Sequence, residues 1–217
     1  MLIRVWCCVR LDRTGEHALV DGATDQAIVG EVIKGDIEAF GILVQRYQDR
    51  IYSAIHNYVS NPDDAVDIAQ DTFVKAYAKL RTFDASSAFY TWLYRIAINT
   101  AIDFLRRRKS RPADSLDDEK YATAGFEPVS TDPAADPERV SVRHAQAAAL
   151  RAAIARLSHK LRAVLVLHDV EGLSQEEVAQ ILRVPVGTVK SRVSRARTEL
   201  RSLLTKQMGE EIWKPGT

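Results

Sequence analysis

The chain has 217 residues, a length that suits one large domain or two small ones. Its formal net charge is only +1, but acidic and basic residues are segregated along the sequence, so a strongly basic surface can exist within a nearly neutral total. The sequence contains no phosphate-loop, zinc-protease or serine-hydrolase motif, and the five histidines lack metal-ligand spacing. We therefore expect no enzyme activity, no metal and no cofactor.

The two cysteines, Cys7 and Cys8, are adjacent, and adjacent cysteines rarely bridge each other, so the sequence favours a reducing cytoplasm over a disulfide framework. They lie in an apolar start that is interrupted by Arg4 and Arg10 and is too short to span a bilayer. We predict no membrane insertion. Two interpretations stay open for residues 1–23: a disordered extension, or translated upstream sequence from a start codon assigned too early.

Residues 24–110 have helical periodicity with few breakers, which predicts a first helical domain. The turn signals are Gly35, the segment 61–64, which is read as a turn and a helix cap, and the loop 82–87. We predict a first helix capped by Asp25 and ending at Lys34, a second opening at Asp36, a third over 65–80 and a fourth over 88–108.

Residues 111–140 differ in composition from the segments on both sides. The segment holds four prolines, and between residues 114 and 138 eight acidic side chains stand against one basic side chain, Lys120. Such a segment cannot bury enough apolar surface to offset chain entropy, which predicts a flexible acidic linker. Helical periodicity resumes over 141–206, a second domain, and 207–217 form a tail. The predicted fold class is all-α, with two small helical domains on a tether.

The clearest local motif lies at residues 172–204. Ser174 and Glu177 have the spacing of a capping box that opens a short helix. Pro185 prevents that helix from continuing, and a second helix then begins at Gly187 and Thr188. Its apolar residues recur on one stripe at helical spacing: Val189, Val193, Ala196, Leu200 and Leu203. This combination predicts a helix-turn-helix.

The opposite face of the second helix is polar and basic, as a DNA recognition helix requires. Arg192 and Arg195 are the candidate base readers, since a bidentate arginine–guanine contact contributes about 1–3 kcal/mol of discrimination. We expect Lys190, Arg197 and Arg201 to contact phosphate. A solvated basic face is the alternative, and the box, the turn and the stripe together favour DNA binding. The predicted DNA-binding residues are Thr188, Lys190, Ser191, Arg192, Ser194, Arg195 and Arg197.

The segment 83–108 places aromatic residues before a basic end, Arg106 to Lys109, which is typical of a surface that binds unstacked bases. Core packing is the alternative for the rings. We expect it for Phe89 and Tyr94, while Trp92 stays open between core and base contact. Arg95 and Asn99 lie one turn apart off the apolar stripe and are stronger candidates for contact with DNA.

Both domains resemble the extracytoplasmic-function (ECF) sigma factors of bacterial RNA polymerase, and most closely the sigma-E type. The resemblance covers about residues 24–204, and its most specific part is the fourth predicted helix. The matching segments are Thr24-Asp25-Gln26, Lys34-Gly35-Asp36, Ala39-Phe40, Arg46-Tyr47, Phe73-Val74-Lys75-Ala76-Tyr77, Ala88-Phe89-Tyr90-Thr91-Trp92-Leu93-Tyr94-Arg95-Ile96-Ala97-Ile98-Asn99-Thr100-Ala101 and Pro185-Val186-Gly187-Thr188-Val189-Lys190-Ser191-Arg192.

The resemblance implies that residues 24–110 are sigma region 2, which binds core polymerase and melts the −10 promoter element. Its third helix would dock on the clamp coiled coil of the polymerase through Asp67, Gln70, Asp71 and Lys75, for which ordinary solvated surface is the alternative. The loop and the fourth helix would capture a base flipped from the non-template strand. The −10 residues implied are Phe83, Asp84, Ser86, Ser87, Trp92, Arg95, Asn99 and Arg106.

The resemblance implies that residues 141–206 are sigma region 4, which reads the −35 duplex and meets the polymerase flap. The acidic linker would thread the RNA exit path. An anti-sigma factor, itself membrane-linked, would regulate the chain in an envelope or other stress response. The sequence departs from its sigma-E relatives at two positions that the resemblance assigns to DNA contact. The loop has Asp84-Ala85-Ser86 where relatives often carry a basic residue and Gly-Asp, which affects the preferred −10 sequence. Ser194 stands where close relatives carry an aromatic residue, which affects the −35 contacts.

Two other classes of protein could carry parts of this sequence. A stand-alone helix-turn-helix regulator would bind duplex without polymerase, but it leaves the tether and the specific run 88–101 unexplained. A protein-binding adaptor that mimics a sigma factor would tolerate loss of the basic face of the recognition helix. Promoter-specific run-off transcription by purified core polymerase separates both from a sigma factor.

Overall fold

The structure is a computed structural model that describes residues 24–84, 86–110 and 137–208, with side chains over 24–84, 86–109 and 147–206. Three predicted segments lie outside the described residues: the extension 1–23, the linker over 111–136 and the tail 209–217. The described ranges contain helices and no strand, and the all-α prediction is confirmed.

The described part of the first domain has four α-helices. They are α1 Asp25–Lys34, α2 Ile37–Val59, α3 Pro62–Lys79 and α4 Phe89–Ser110. A 3₁₀ turn, Leu80–Thr82, leads from α3 into the predicted loop. Gly35 ends α1 with φ 115°, a conformation that glycine adopts without steric cost, and the Asp36 carboxylate caps α2 by accepting from the amides of Glu38 and Ala39 at 3.0 and 3.2 Å.

Two predicted helix starts in this domain are wrong. Thr24, not Asp25, caps α1, and its Oγ1 accepts from the Ala27 amide at 3.3 Å. The Asp25 carboxylate instead binds Arg46 and the Tyr47 hydroxyl, both at 2.5 Å, and ties α1 to α2. Helix α3 begins at Pro62 rather than at residue 65, because Asn61 is the cap and proline is tolerated in a first turn.

The second domain also has four α-helices among its described residues. They are α5 Pro137–Arg156, α6 His159–Leu165, α7 Gln175–Leu182 and α8 Val186–Met208. A π-helical turn, Val166–Val170, follows α6 and was not foreseen from the sequence. Helix α5 starts within the predicted linker, which ended at residue 140, and a proline suits the first helical position.

The two domains pack against each other. Helix α4 lies against α7, and α2 lies against α5 and the π-helical turn. The buried apolar side chains form one continuous cluster that runs from Ile28 in α1 to Ala196 in α8. The sequence predicted two domains on a tether and did not foresee this contact.

No helix in the described ranges is both long and apolar enough to cross a membrane. Within the same ranges, no group of three or more histidine, cysteine, aspartate or glutamate side chains is placed to hold a metal ion.

Candidate nucleic-acid interface

The predicted helix-turn-helix is present as α7, a short turn and α8. The Ser174 hydroxyl caps the Glu177 amide at 3.2 Å, and the Glu177 carboxylate accepts from the Ser174 amide at 2.7 Å, which completes the capping box. Arg183 ends α7 in the left-handed region at φ 53°. Helix α8 begins at Val186, one residue before the predicted start at Gly187.

The apolar stripe of α8 packs into the core as predicted at its first three positions. Val189, Val193 and Ala196 are buried, while Leu200 and Leu203 are half-buried and Leu204 is buried in their place. The predicted positions follow a seven-residue repeat, which does not match the 3.6 residues per turn of an α-helix. The buried stripe therefore shifts gradually around the helix toward its C-terminal end. The basic face therefore points away from the core along the first half of α8.

Most of the predicted −35 residues are available on that face. Those that are exposed are Lys190, Ser191, Ser194, Arg195 and Arg197. Thr188 and Arg192 are half-buried, and the Ser191 hydroxyl donates to the Thr188 carbonyl at 3.0 Å. The two candidate base readers thus differ: Arg195 points outward, whereas Arg192 lines a cleft of about 780 Å³ between the two domains.

The predicted −10 loop is organised around one carboxylate. Asp84 accepts from the Ser86 amide at 3.0 Å and from the Ser86 hydroxyl at 2.8 Å, and its carbonyl accepts from the Ser87 amide at 3.2 Å. The bonds from Ser86 lower the pKa of the Asp84 carboxyl, because they favour its charged form. Asp84 and Ser86 are exposed and Ser87 is half-buried, so the loop presents polar groups to a partner.

The aromatic residues next to this loop form a packed cluster. Phe83 meets Phe89 edge-on at 5.5 Å between ring centroids and Trp92 at 5.6 Å. Trp92 is 4% exposed and Phe83 is half-buried. Phe89 and Tyr94 are buried as expected. In this conformation the Trp92 ring has core neighbours and little free face, and Phe83 is the more accessible ring of the predicted pair.

Arg95 and Asn99 lie on the surface of α4 that faces the second domain. Arg95 is half-buried, Asn99 is exposed, and both line a cleft of about 410 Å³ together with Leu182 and Arg183. Burial, and then the nearby cation of Arg183, lowers the pKa of Arg95. Asn99 also lines the larger cleft with Arg106, which is exposed and lies 3.7 Å from Asp103.

The predicted polymerase-binding residues lie on α3. Asp67 and Asp71 are exposed and Gln70 is half-buried, at the i, i+3 and i+4 spacing of one helix face. Lys75 is turned toward α4: its Nζ lies 2.9 Å from Asp71 and 3.3 Å from the Thr100 hydroxyl. Val74 continues the face and is 44% exposed. Val74 was not among the predicted residues, although an apolar residue opposite the buried stripe was an available signal.

Sequence reasoning also missed a set of polar residues that join the domains. The Glu171 carboxylate accepts from the Tyr94 hydroxyl at 2.8 Å and from the Ser53 hydroxyl at 3.5 Å. The Tyr90 hydroxyl donates to Glu177. Burial raises the pKa of Glu171, while the bond from Tyr90 lowers that of Glu177. The pairs are distant in sequence, so no local pattern could have revealed them.

Two family models match the two domains in order. One is described as Sigma-70 region 2 and matches residues 43–111, and the other is described as Sigma-70, region 4 and matches residues 147–200. Together these segments cover more than half of the chain. The chain belongs to the sigma-70 family of RNA polymerase sigma factors. As a sigma factor, it directs promoter-specific initiation of transcription.

Individual relatives give the same result. The chain is 41% identical to the RNA polymerase sigma-H factor of Pseudomonas aeruginosa, over 83% of this chain and 93% of that one. It is 41% identical to the ECF RNA polymerase sigma-E factor of Salmonella typhimurium, over 80% of this chain and 91% of that one. The resemblance to ECF sigma factors is therefore confirmed.

A solved structure of a related sigma factor has a similar fold. It is the sigma factor RpoE of Bartonella quintana in complex with the anti-sigma factor NepR, with a TM-score of 0.56 and 28% identity. The match covers 78% of this chain and 98% of that chain. The described helices of this sigma factor are thus arranged broadly as they are in a sigma factor in complex with an anti-sigma factor.

Proposed function

We propose that α8 reads the −35 element as duplex. Arg195, which is exposed, would contact a base edge. Arg192, which is half-buried in the cleft between the domains, would contact a second base edge when the first domain no longer covers it. Lys190, Arg197 and the exposed Ser194 would hold phosphate or fix the register of the helix in the major groove. The observation that supports this most directly is the capped helix-turn-helix with its basic face turned away from the core.

The first domain would open and hold the −10 element. The exposed carboxylate and hydroxyls of the loop, on Asp84 and Ser86, would select the flipped base, with Phe83 beside it. Arg95 and Asn99 on α4 would hold the single strand, and Arg106 would hold its backbone. Because relatives carry a basic residue and Gly-Asp in this loop, we expect a different base preference at the −10 element.

Core polymerase would bind the exposed face of α3. Asp67, Gln70 and Asp71 would set the orientation of docking, and Val74 would supply apolar contact at the centre of the patch. Lys75 would keep Asp71 in place through their 2.9 Å ion pair. We propose that residues 24–110 form the domain that binds core polymerase and the −10 element, and that residues 141–206 form the domain that binds the −35 element.

The regulator would be an anti-sigma factor linked to the membrane, and the setting would be an envelope or other stress response in the cytoplasm. The complex of the related RpoE with NepR supports an inhibitor of this class. The role that we propose throughout is recognition of polymerase and DNA rather than catalysis.

The test is run-off transcription with purified core polymerase on promoters mapped by overexpressing the chain. Wild-type protein should give promoter-specific product. Arg192→Ala with Arg195→Ala should abolish it without loss of binding to core polymerase. Arg156→Ala with Lys206→Ala removes the same charge from exposed sites outside the reading face and should leave the product unchanged. Equal loss in both double variants would refute the proposed base readers.

A further inference from the structure

Helix α8 begins with an apolar residue that the core does not cover. Val186 occupies the first helical position and is 39% exposed, whereas Val189 and Val193, which continue its apolar row, are buried. The other exposed side chains in the described part of α8 are polar or charged. Single exposed apolar residues are common on protein surfaces, so the exposure alone assigns no role to Val186. Its position and its neighbours are the informative features.

The position of Val186 places it beside residues predicted to contact DNA. Lys190 and Ser194 follow it at i+4 and i+8, so the three residues share one row of α8, and all three are exposed. The N-terminal residues of a recognition helix are the ones that reach base edges in the major groove. Val186 therefore stands on a row of predicted DNA contacts, at the end of the helix that comes nearest to the bases.

The first turn of α8 holds Val186 in a defined position. The Pro185 carbonyl accepts from the amides of Thr188 at 2.9 Å and of Val189 at 3.2 Å. The Ser191 hydroxyl closes the next turn by donating to the Thr188 carbonyl at 3.0 Å. Valine is β-branched and has few side-chain rotamers in a helix. The methyl groups of Val186 are thus presented with little conformational freedom to lose on binding.

Gly187, the next residue, leaves open space beside Val186. A Cβ at Gly187 would meet no atom within 4 Å beyond its own turn of helix, and its φ is not in the left-handed region. Glycine is less favourable than alanine in a helix, and no packing or backbone conformation among the described residues requires it here. Close approach of a partner's surface accounts for a glycine in this position. Such a surface would also contact Val186.

We propose that Val186 selects a thymine of the −35 element by packing against its C5 methyl group. The major-groove edges of all four bases carry hydrogen-bonding groups, and thymine alone adds a methyl group to them. A donor or acceptor placed against Val186 would lose water without gaining a partner, which is unfavourable. The inference rests on the −35 reading proposed above for α8. It adds the base, the chemical group and the residue that recognises it.

The test replaces the thymines of the −35 element, on both strands and one at a time, with uracil. This change removes the methyl group and keeps the hydrogen-bonding groups of the base. Holoenzyme assembled from the full chain and core polymerase is titrated on each duplex at one salt concentration. For the wild-type chain, one replacement should weaken binding about fourfold, the factor expected for the burial of one methyl group.

The Val186→Ala variant decides whether this methyl group is recognised by Val186. It should bind the thymine duplex about as weakly as the wild-type chain binds the uracil duplex, and it should lose most of the fourfold difference between the two. If no replacement weakens binding of the wild-type chain, the inference is wrong. It is equally wrong if the wild-type chain and the variant lose the same factor, because the methyl group would then act independently of Val186.

Val170→Ala is the matched control for this variant. Val170, in the π-helical turn, is 44% exposed, so the same chemical change is made at similar exposure outside α8. The Val170→Ala protein should keep the full response to uracil. Urea unfolding should give nearly the same midpoint for both variants and the wild-type chain, because substitutions at exposed positions change stability little.

Gly187→Ala tests the close approach separately from the methyl contact. Alanine has the higher helix propensity, so this variant should be at least as stable as the wild-type chain. It should nevertheless bind the thymine and uracil duplexes more weakly and by the same factor, since the added Cβ stands where the DNA surface approaches. Unchanged binding by the Gly187→Ala protein would contradict the close approach.

Failure of this inference can be told apart from failure of the proposed −35 reading. The double variant at Arg192 and Arg195 tests the reading itself, through loss of promoter-specific product. If that product is lost while the wild-type and Val186→Ala chains respond alike to uracil, α8 reads the element and Val186 does not contact the thymine. If the double variant keeps its product, the proposed base readers are wrong and the inference about Val186 loses its basis.

Discussion

Arg197 and Asp169 form a two-point ion pair between α8 and the π-helical turn. Arg197 Nε lies 2.9 Å from Asp169 Oδ2, and Nη2 lies 2.6 Å from Oδ1. The bonds that Arg197 donates to the Asp169 carboxylate, and then the charge of that carboxylate, raise the pKa of Arg197, and the bonds occupy one edge of its guanidinium. A residue predicted to contact phosphate is thus held by a neighbour before DNA arrives.

Replacing Asp169 with asparagine should release Arg197 for phosphate. Because the arginine is exposed, the pair contributes only about 0–1 kcal/mol to folding. We expect Asp169→Asn to steepen the dependence of log affinity on log salt by about 1, as one added phosphate contact requires. The measurement is a salt titration of holoenzyme on promoter DNA. Glu199→Gln, an acid removed elsewhere on α8, should leave the slope unchanged; an equal slope in all three proteins would contradict the prediction.

Trp92 should behave as a core residue. Its 4% exposure and its contacts with Phe83 and Phe89 predict that Trp92→Ala lowers the free energy of unfolding by about 3–5 kcal/mol. The exposed Asn99→Ala should change it by no more than about 0.5 kcal/mol while impairing −10 opening. Urea unfolding gives the first quantity, and permanganate reactivity of promoter thymines gives the second. A Trp92→Ala protein with normal stability and failed opening would assign the ring to DNA instead.

Val74 should be central to polymerase binding. We expect Val74→Asp to weaken affinity for core polymerase at least tenfold, which corresponds to about 1.4 kcal/mol, because a charge would be desolvated in the contact. Ile33 of α1 has the same 44% exposure outside the α3 face, so Ile33→Asp is the matched control and should bind normally. Fluorescence anisotropy of labelled protein measures both. Normal binding by the Val74→Asp protein would show that core polymerase does not bind this face of α3.

The −10 loop should loosen in acid. The pKa of Asp84 is lowered, so its bonds to Ser86 are fully present above the ordinary value of 3.8 and are lost as pH falls through the lowered pKa. Ser86→Ala removes the hydroxyl and keeps the amide, and it should return the pKa partway toward 3.8. Carbon-detected nuclear magnetic resonance of the Asp84 carboxyl follows the titration. Ser87→Ala removes a donor to the Asp84 carbonyl and not to the carboxylate, and it should not shift the pKa.

Features with local causes could be predicted from the sequence. The capping box of Ser174 and Glu177 involves residues three apart, and its pattern specifies its geometry. The cap of α1 shows the limit of such local patterns, since Thr24 and Asp25 are adjacent, both are capping residue types, and the slightly weaker one, Thr24, is the cap. What decided between them was the bond of Asp25 to Tyr47, 22 residues away, which a local pattern cannot contain.

The contact between the domains lay beyond sequence reasoning for the same reason. Tyr94 and Glu171 are 77 positions apart, and Ser53 and Glu171 are 118 apart. Each is an ordinary residue in its own helix or turn. Trp92 stayed ambiguous because its burial depends on Phe83, which reaches it from a loop. The predicted DNA-binding faces followed from periodicity, but which of their residues the other domain covers depends on tertiary packing.

The single apolar cluster that runs from Ile28 to Ala196 has a consequence for how the free chain unfolds. Because both domains contribute to one continuous core, heat or urea should melt the described helices in one cooperative transition rather than two. A substitution that weakens the packing of either domain should therefore lower the midpoint of that single transition, because the helices of the other domain unfold with it.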